Sequence, residues 1–161
     1  MYFAGGIMKI KDVMNSDVIY CKPDDRISDV AQMLRKNDIS GMPVVEKEKL
    51  IGLISELDLL QLLEIPRHDT YWLPSPFEVI EIPIRELISW EEAKRMLTDI
   101  GTKPVKEIMR TKIYTISPED SIEEASTIMI KNKINRLPVV SEGKLVGIVT
   151  RGDIIKGLAD V

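Results

Sequence analysis

The chain of 161 residues is poor in the groups that most often carry chemistry. It has a single cysteine, Cys21, so it forms no internal disulfide and builds no thiolate cluster for zinc. Cys21 lies in the strand-like run VIYC, where a buried, inert thiol is expected. The single histidine, His68, has no second imidazole and no Ser or Cys arrangement to work with, so neither a catalytic nor a metal role is expected of it. No glycine-rich phosphate loop carrying a lysine occurs. No apolar run approaches the ~18 residues that span a bilayer, and no charged region followed by an apolar stretch opens the chain. A cytoplasmic protein without a membrane partner is therefore the expectation. Positive charge is not in excess either: 22 Lys and Arg stand against 26 Asp and Glu. That balance argues against a sequence-independent nucleic-acid binder, which needs a basic stripe. What remains, 44% hydrophobic and 30% charged residues, is the composition of a folded globular chain.

A repeat organises that composition. Shifting the chain by 95 residues aligns Ile10–Leu63 with Val105–Leu158 without a gap, and 16 of the 54 aligned positions are identical. Units this short are marginal alone, so the two copies are expected to share one core. Each reads as a short helical turn ending in Met (Met14, Met109), then an extended run to a Pro (Pro23, Pro118). An amphipathic helix follows, then a strand (GMPVV, RLPVV), a charged turn, a second strand (LIGLIS, LVGIVT) and a last helix. The second copy's first long helix shows an apolar face of Ile122, Ala125, Ser126, Met129 and Ile130. Its start, Ser121–Glu124, is a capping box. The first copy has Arg26 in place of Ser121, so its cap comes from Asp25 or differs. Asp24–Asp25 and Glu123–Glu124 are read as helix-start carboxylates, not as an acid/base pair.

The predicted fold class is α/β (α+β): a small mixed unit, repeated, with a helical insert between the copies. The expected boundaries are an N-terminal arm at 1–8, the first copy at 9–63, the insert at 64–103 and the second copy at 104–161. The stretch IPRHDTYWLPSPF, with three prolines, predicts irregular structure. Ser89–Ile100 predicts a helix with Ser89 as cap, Glu92 in a capping box and Gly101 as terminator. Its stripe of Trp90, Ala93, Met96, Leu97 and Ile100 is expected to pack on the repeat core. Tyr71, Trp72 and Phe77 are expected to serve core or interface packing.

The second copy ends in GIVTRGD and the first in GLISELD. Thr150 with Asp153, and Ser55 with Asp58, have capping-box spacing, and on that reading nothing binds there. Three features point further. The strand runs directly into the helix, which puts free amides at the carboxyl edge of a sheet, where ligands of open α/β sheets lodge. A helix N-terminus favours phosphate, and Arg151 beside it offers a guanidinium fork. An Asp at such an edge suits a ribose diol. Together these describe a nucleoside phosphate site.

These residues carry a resemblance. The two copies are similar to CBS domains, and the tandem resembles a CBS pair, or Bateman module. The likeness rests on the Pro23 and Pro118 segments, the PVV strands and the ends GLISELD and GIVTRGD. The resemblance implies two βαββα units in a pseudo-twofold arrangement, with two clefts for adenosine ligands (AMP, ADP, ATP or S-adenosylmethionine) and no required cofactor. It implies phosphate and ribose contacts from Thr150, Asp153, Ser55 and Asp58, to which the residue chemistry adds Arg151. It places the base near Ile113, Tyr114, Thr115, Leu137 and Pro138, and near Val18, Ile19, Tyr20, Met42 and Pro43. It also implies a homodimer and a regulated protein that the sequence does not identify. The second copy fits better: the first has Tyr20 where the second has Thr115, and Glu56, which repels phosphate, where the second has Arg151. No catalytic residue and no metal site is expected, so the chain reads as a regulatory module and not an enzyme. The alternative is an unliganded structural adaptor. A DNA-binding role would need a helix-turn-helix, which the single insert helix is not.

Overall fold

A computed structural model describes residues 8–63, 70–74, 79–83 and 89–159, with 70–74 and 79–83 described by their backbone alone. The first copy contains α1 (Ile10–Val13), α2 (Ile27–Lys36), β1 (Gly41–Glu46), β2 (Lys49–Ser55) and α3 (Glu56–Gln61). The insert contributes β3 (Thr70–Pro74), β4 (Val79–Pro83) and α4 (Trp90–Thr102). The second copy opens with a 3-10 turn at Val105–Glu107 and continues with α5 (Ile122–Asn132), β5 (Arg136–Ser141), β6 (Lys144–Thr150) and α6 (Arg151–Ala159). Each long hairpin is joined by one parallel bridge from the extended run before it, Cys21 to Val44 and Ile116 to Val139. Those bridges supply the leading strand of each βαββα unit.

The lead-in of each copy docks on the other copy, by the same bonds in both directions. Asn15 and Ile148 exchange N–H···O bonds of 2.9 Å each, and Arg110 and Leu53 exchange bonds of 2.8 and 3.0 Å. The Ile122 N–H at the start of α5 donates to Met8 O, and the Ile27 N–H at the start of α2 donates to Lys103 O. The second of these answers the question of the α2 cap. Arg26 makes no side-chain cap bond, and a backbone carbonyl from the far side of the insert satisfies the exposed donor instead. Ser121–Glu124 and Ser89–Glu92 form the capping boxes their spacing predicts.

Two compact units result. One comprises the chain to Pro23, Met42–Leu53 and the chain from Met109, and the other comprises Asp24–Gly41 and Ile54–Ile108. In the first, Ile10 enters a cluster with Ile116, Ile122, Ala125, Met129, Leu137, Val139, Val149 and Ile154. Lys9 and Lys11 converge on Glu119 in the same unit. Hydrogen bonds from Lys11 and then Lys9 pull the exposed Glu119 carboxyl down to about 2. Cys21 is buried, as expected.

Four expectations need correction. The proline-rich start of the insert holds a hairpin, with Thr70–Pro74 antiparallel to Val79–Pro83. Its β-branched and aromatic content favours strands, and Pro74 and Pro83 fall at strand ends, where a missing N–H is tolerated. The second correction is that α4 passes through Gly101 and ends at Lys103, whose extended backbone is what the following Pro104 demands. Third, the α4 stripe is not buried: Trp90 is 76% exposed, and Met96 and Leu97 are about half exposed. Last, Ile130 points outward from α5 at 79% exposure. It lies 80° round from Ile122 at 100° per residue, off the buried stripe of Ile122, Ala125 and Met129. His68, Phe77 and the arm before Met8 lie outside the described residues.

Both long hairpins turn through two residues with positive φ: Lys47 and Glu48 in the first copy, Glu142 and Gly143 in the second. These are the tight turns that match strand twist, and three of the four positions carry a side chain where glycine or asparagine is favoured. Lys133 likewise ends α5 with φ 54°. Lys133→Gly removes that steric cost but loosens the unfolded chain. A net gain of about 0.5–1 kcal/mol is expected, read in urea unfolding as a higher midpoint at unchanged slope.

Candidate functional site

The predicted residues of the second copy all lie in one unit, on the β5–β6 hairpin, in the run before α5 and at the start of α6. The β5–β6 register sets Arg136 opposite Thr150 and Leu137 opposite Val149. The Ile116 N–H donates to Pro138 O at 3.1 Å and the Val140 N–H to Ile116 O at 2.9 Å, which lays Ile113–Thr115 alongside β5. Ile113 and Tyr114 are half-buried there, Thr115 is exposed, and Lys112 sits with its ammonium 5.9 Å from the Tyr114 ring centre. Leu137 and Pro138 are fully buried, and Leu137 belongs to the hydrophobic cluster.

At the β6–α6 junction the capping box is closed. Thr150 donates to Asp153 Oδ2 from its N–H and from its hydroxyl, each at 2.7 Å, and the Asp153 N–H donates back to Thr150 Oγ1 at 3.3 Å. All three bonds leave Oδ1 of Asp153 unengaged among the described residues, on a side chain that is half-buried. A helix cap uses one carboxylate oxygen; the second is the acceptor a ribose hydroxyl needs. Arg151, exposed, is fixed at its backbone by donating to Asn135 O at 2.9 Å. The Asn135 side chain also accepts from Arg136 Nε at 3.1 Å. Asn135 thus bonds the backbone of Arg151 through its carbonyl and the guanidinium of Arg136 through its side chain. Neither Asn135 nor this use of Arg136 is visible in the sequence, because both depend on the strand register.

In the first copy the local pieces recur with different chemistry. Ser55 donates to Asp58 Oδ2 from its N–H at 2.8 Å and from its hydroxyl at 2.6 Å, and the Glu56 N–H donates to Ser40 O at 3.0 Å. The backbone is that of Thr150–Asp153 and Arg151, with Glu56 in place of the arginine. Asp58 is only 6% exposed, the one buried charged side chain among the described residues. The Cys21 N–H donates to Pro43 O at 3.0 Å, which sets Val18–Tyr20 beside Met42–Pro43 within one unit. Met42 is fully buried, while Tyr20 is half exposed.

Two glycines sit where the lead-ins dock. A Cβ on Gly147 would come within 2.6 Å of Met14 Sδ and 3.2 Å of Asn15 O, and a Cβ on Gly52 within 2.6 Å of Met109 Sδ and 3.2 Å of Arg110 O. The glycine of GIVTRGD and GLISELD is therefore a seat for the methionine of the opposite lead-in. Among the described residues, no cluster of acidic, histidine or cysteine side chains is arranged to hold a metal ion, and no helix is long and apolar enough to cross a membrane.

Known proteins share this arrangement. The family description "CBS domain" matches residues 10–65 and again 105–160. An uncharacterized protein of Methanocaldococcus jannaschii, MJ1426, is 41% identical over 96% of this chain and 93% of its own length. The solved structure of CBSX2 from Arabidopsis thaliana in complex with AMP covers 95% of this chain and 97% of that one, with TM-score 0.69 and 23% identity. The CBS domain pair of protein MJ0100, in complex with 5'-methylthioadenosine and S-adenosyl-L-methionine, covers 96% and 98%, with TM-score 0.69 and 23% identity. A gapless repeat, two βαββα units and two family matches in register with them lead to one assignment: the chain belongs to the CBS-domain family and carries the domain twice, in tandem.

Proposed function

We propose that this chain is a non-catalytic regulatory module that binds an adenosine-containing ligand, with its principal site in the second copy. In this reading Thr150 and Arg151 meet phosphate, Asp153 accepts from the ribose, and Ile113–Thr115 with Leu137 and Pro138 flank the base. Ser55, Asp58, Val18–Tyr20, Met42 and Pro43 are the corresponding set of the first copy, at 9–63, as the second copy lies at 104–161 and the insert at 64–103. The observation that carries the reading is the unengaged Oδ1 of the half-buried Asp153 at the start of α6, the helix that Arg151 opens. Support comes also from the AMP, 5'-methylthioadenosine and S-adenosylmethionine bound by CBS pairs of the same fold. Ligand binding acts by favouring one arrangement of the chain over another, and only by as much as the ligand's affinity differs between them. A homodimer or a partner protein reads that difference out in the cytoplasm.

Titration calorimetry with AMP, ADP, ATP and S-adenosylmethionine tests this. One of them is expected to bind, and Asp153→Asn to weaken it at least ~10-fold, since the amide keeps an acceptor for the Thr150 N–H but takes two acceptor sites from the diol. Silence across the four ligands with folded protein returns Thr150 and Asp153 to helix capping and leaves a structural adaptor as the function.

A further inference from the structure

We propose that the second copy prefers the di- and triphosphates ADP and ATP to AMP, and that Lys133 and Arg136 set this preference by meeting the outer phosphates. The inference rests on the adenosine reading above and names which of its ligands the site takes.

Three stretches of the second copy meet at one end of the β5–β6 hairpin. Arg136, which opens β5, pairs with Thr150, which ends β6. The run before α5 lies parallel to β5 through the Ile116–Val139 bridge, so its start at Lys112 falls toward the Asn135 end. Helix α5 stops at Asn132, and Lys133 begins the short connection from it to β5. The Arg151 N–H, at the start of α6, closes on Asn135 O at 2.9 Å. Residues directly opposite in an antiparallel pair share a face. Arg136 and Thr150 therefore lie on one side of the hairpin, and the buried Leu137 and Val149 on the other.

Charge at this end is lopsided. Residues 110–115, 131–136 and 150–156 hold seven basic side chains and one acidic one, Asp153, in a chain whose net charge is -4. Among the described residues, none of Lys112, Lys133 and Arg151 is in an ion pair. The aligned residues 15–20, 36–41 and 55–61 of the first copy hold one basic side chain and four acidic ones. The fold does not ask for this difference. Lys133 and its counterpart Asp38 both stand at positive φ, 54° and 51°. Arg151 and its counterpart Glu56 donate from their N–H to the aligned carbonyls of Asn135 and Ser40, at 2.9 and 3.0 Å. One backbone accepts either sign, so the positive excess of the second copy answers to a ligand.

The single phosphate of AMP is met at the start of α6 by Arg151. Each further phosphoryl group adds negative charge and acceptor oxygens, for which lysine and arginine are the matching donors. A field of several like charges also concentrates an anion the more strongly, the more charge it carries. S-adenosylmethionine, a sulfonium cation, gains nothing from that field.

Titration calorimetry of the full chain with adenosine, AMP, ADP and ATP, without divalent cation, tests this. ADP and ATP should each bind at least ~10-fold more tightly than AMP, and the gap should narrow as ionic strength rises. Lys133→Asp puts the first copy's own residue type on the same backbone, so the fold tolerates it. It should lower the ratio of ADP to AMP affinity at least ~5-fold. Arg136→Gln should act in the same direction. Inorganic tripolyphosphate should compete with ATP only weakly, because it lacks ribose and base. AMP bound as tightly as ADP, an affinity ratio untouched by Lys133→Asp, or S-adenosylmethionine bound more tightly than ADP each overturns the proposal and leaves the adenosine site standing. Tripolyphosphate bound as tightly as ATP makes this end a general anion surface and overturns it as well. No heat from any nucleotide removes the site and its preference together.

Discussion

Gly147→Ala is expected to cost about 2–3 kcal/mol of stability and to lower Tm by several degrees, the effect of a methyl group forced into a filled space. The added Cβ lands 2.6 Å from Met14 Sδ. A methionine side chain ordinarily swings aside, but here its backbone is fixed by the two bonds between Asn15 and Ile148, and Asn15 O itself stands 3.2 Å from the new atom. Relief therefore requires the lead-in to leave β6. Ile10, fully buried in the cluster of the second copy, would leave with it. Gly52→Ala meets Met109 Sδ at the same 2.6 Å behind the same pair of backbone bonds, so it should cost a similar amount. A double-mutant cycle makes the cause explicit. Met14→Ala alone should destabilise, by loss of packing, but in the Gly147→Ala background it should recover part of the loss. Independent, additive costs in urea unfolding would mean that the methyl group is accommodated and that Met14 is not what it meets.

How much of this was legible in the sequence depended on the range of the interaction. The repeat, its helices and the boxes Ser121–Glu124 and Ser89–Glu92 are local, and local spacing predicts them. The Thr150–Asp153 and Ser55–Asp58 boxes were legible for the same reason. The exchange of lead-ins was not, because nothing in Ile10–Asn15 says which copy will receive it. The α2 cap does differ from that of α5, but its source is not legible: Lys103 O comes from 76 residues away and no residue type announces it. In the insert, proline count outweighed the alternation in TYWLP and VIEIP, although prolines at strand ends forbid nothing. The α4 stripe is apolar, as its periodicity predicts, but exposed, since periodicity finds a face and does not say what covers it. At the candidate site, the sequence points to Thr150, Arg151 and Asp153, while the bonds of Asn135 to the Arg151 backbone and the Arg136 side chain come only from the strand register.

Arg151→Glu is expected to weaken AMP binding by about 30-fold or more, with no loss of stability. The two halves of that statement follow from the same position. Residue 151 opens α6, where a carboxylate interacts favourably with the helix dipole, so the fold should hold or gain slightly. Glu56 opens α3 in the same way, on the same backbone bond to a preceding carbonyl, and shows that the geometry accepts it. For a phosphate at that edge the change replaces an attraction by a repulsion, about 2 kcal/mol for partly exposed charges. The converse substitution, Glu56→Arg, should raise the affinity of the first copy for AMP, seen in calorimetry as a second equivalent of ligand. Raising ionic strength should shrink the difference between wild type and Arg151→Glu, as screening requires of an exposed contact. If Arg151→Glu binds AMP as well as the wild type does, the phosphate does not lie at the start of α6, and Asp153 keeps only the cap it already makes with Thr150.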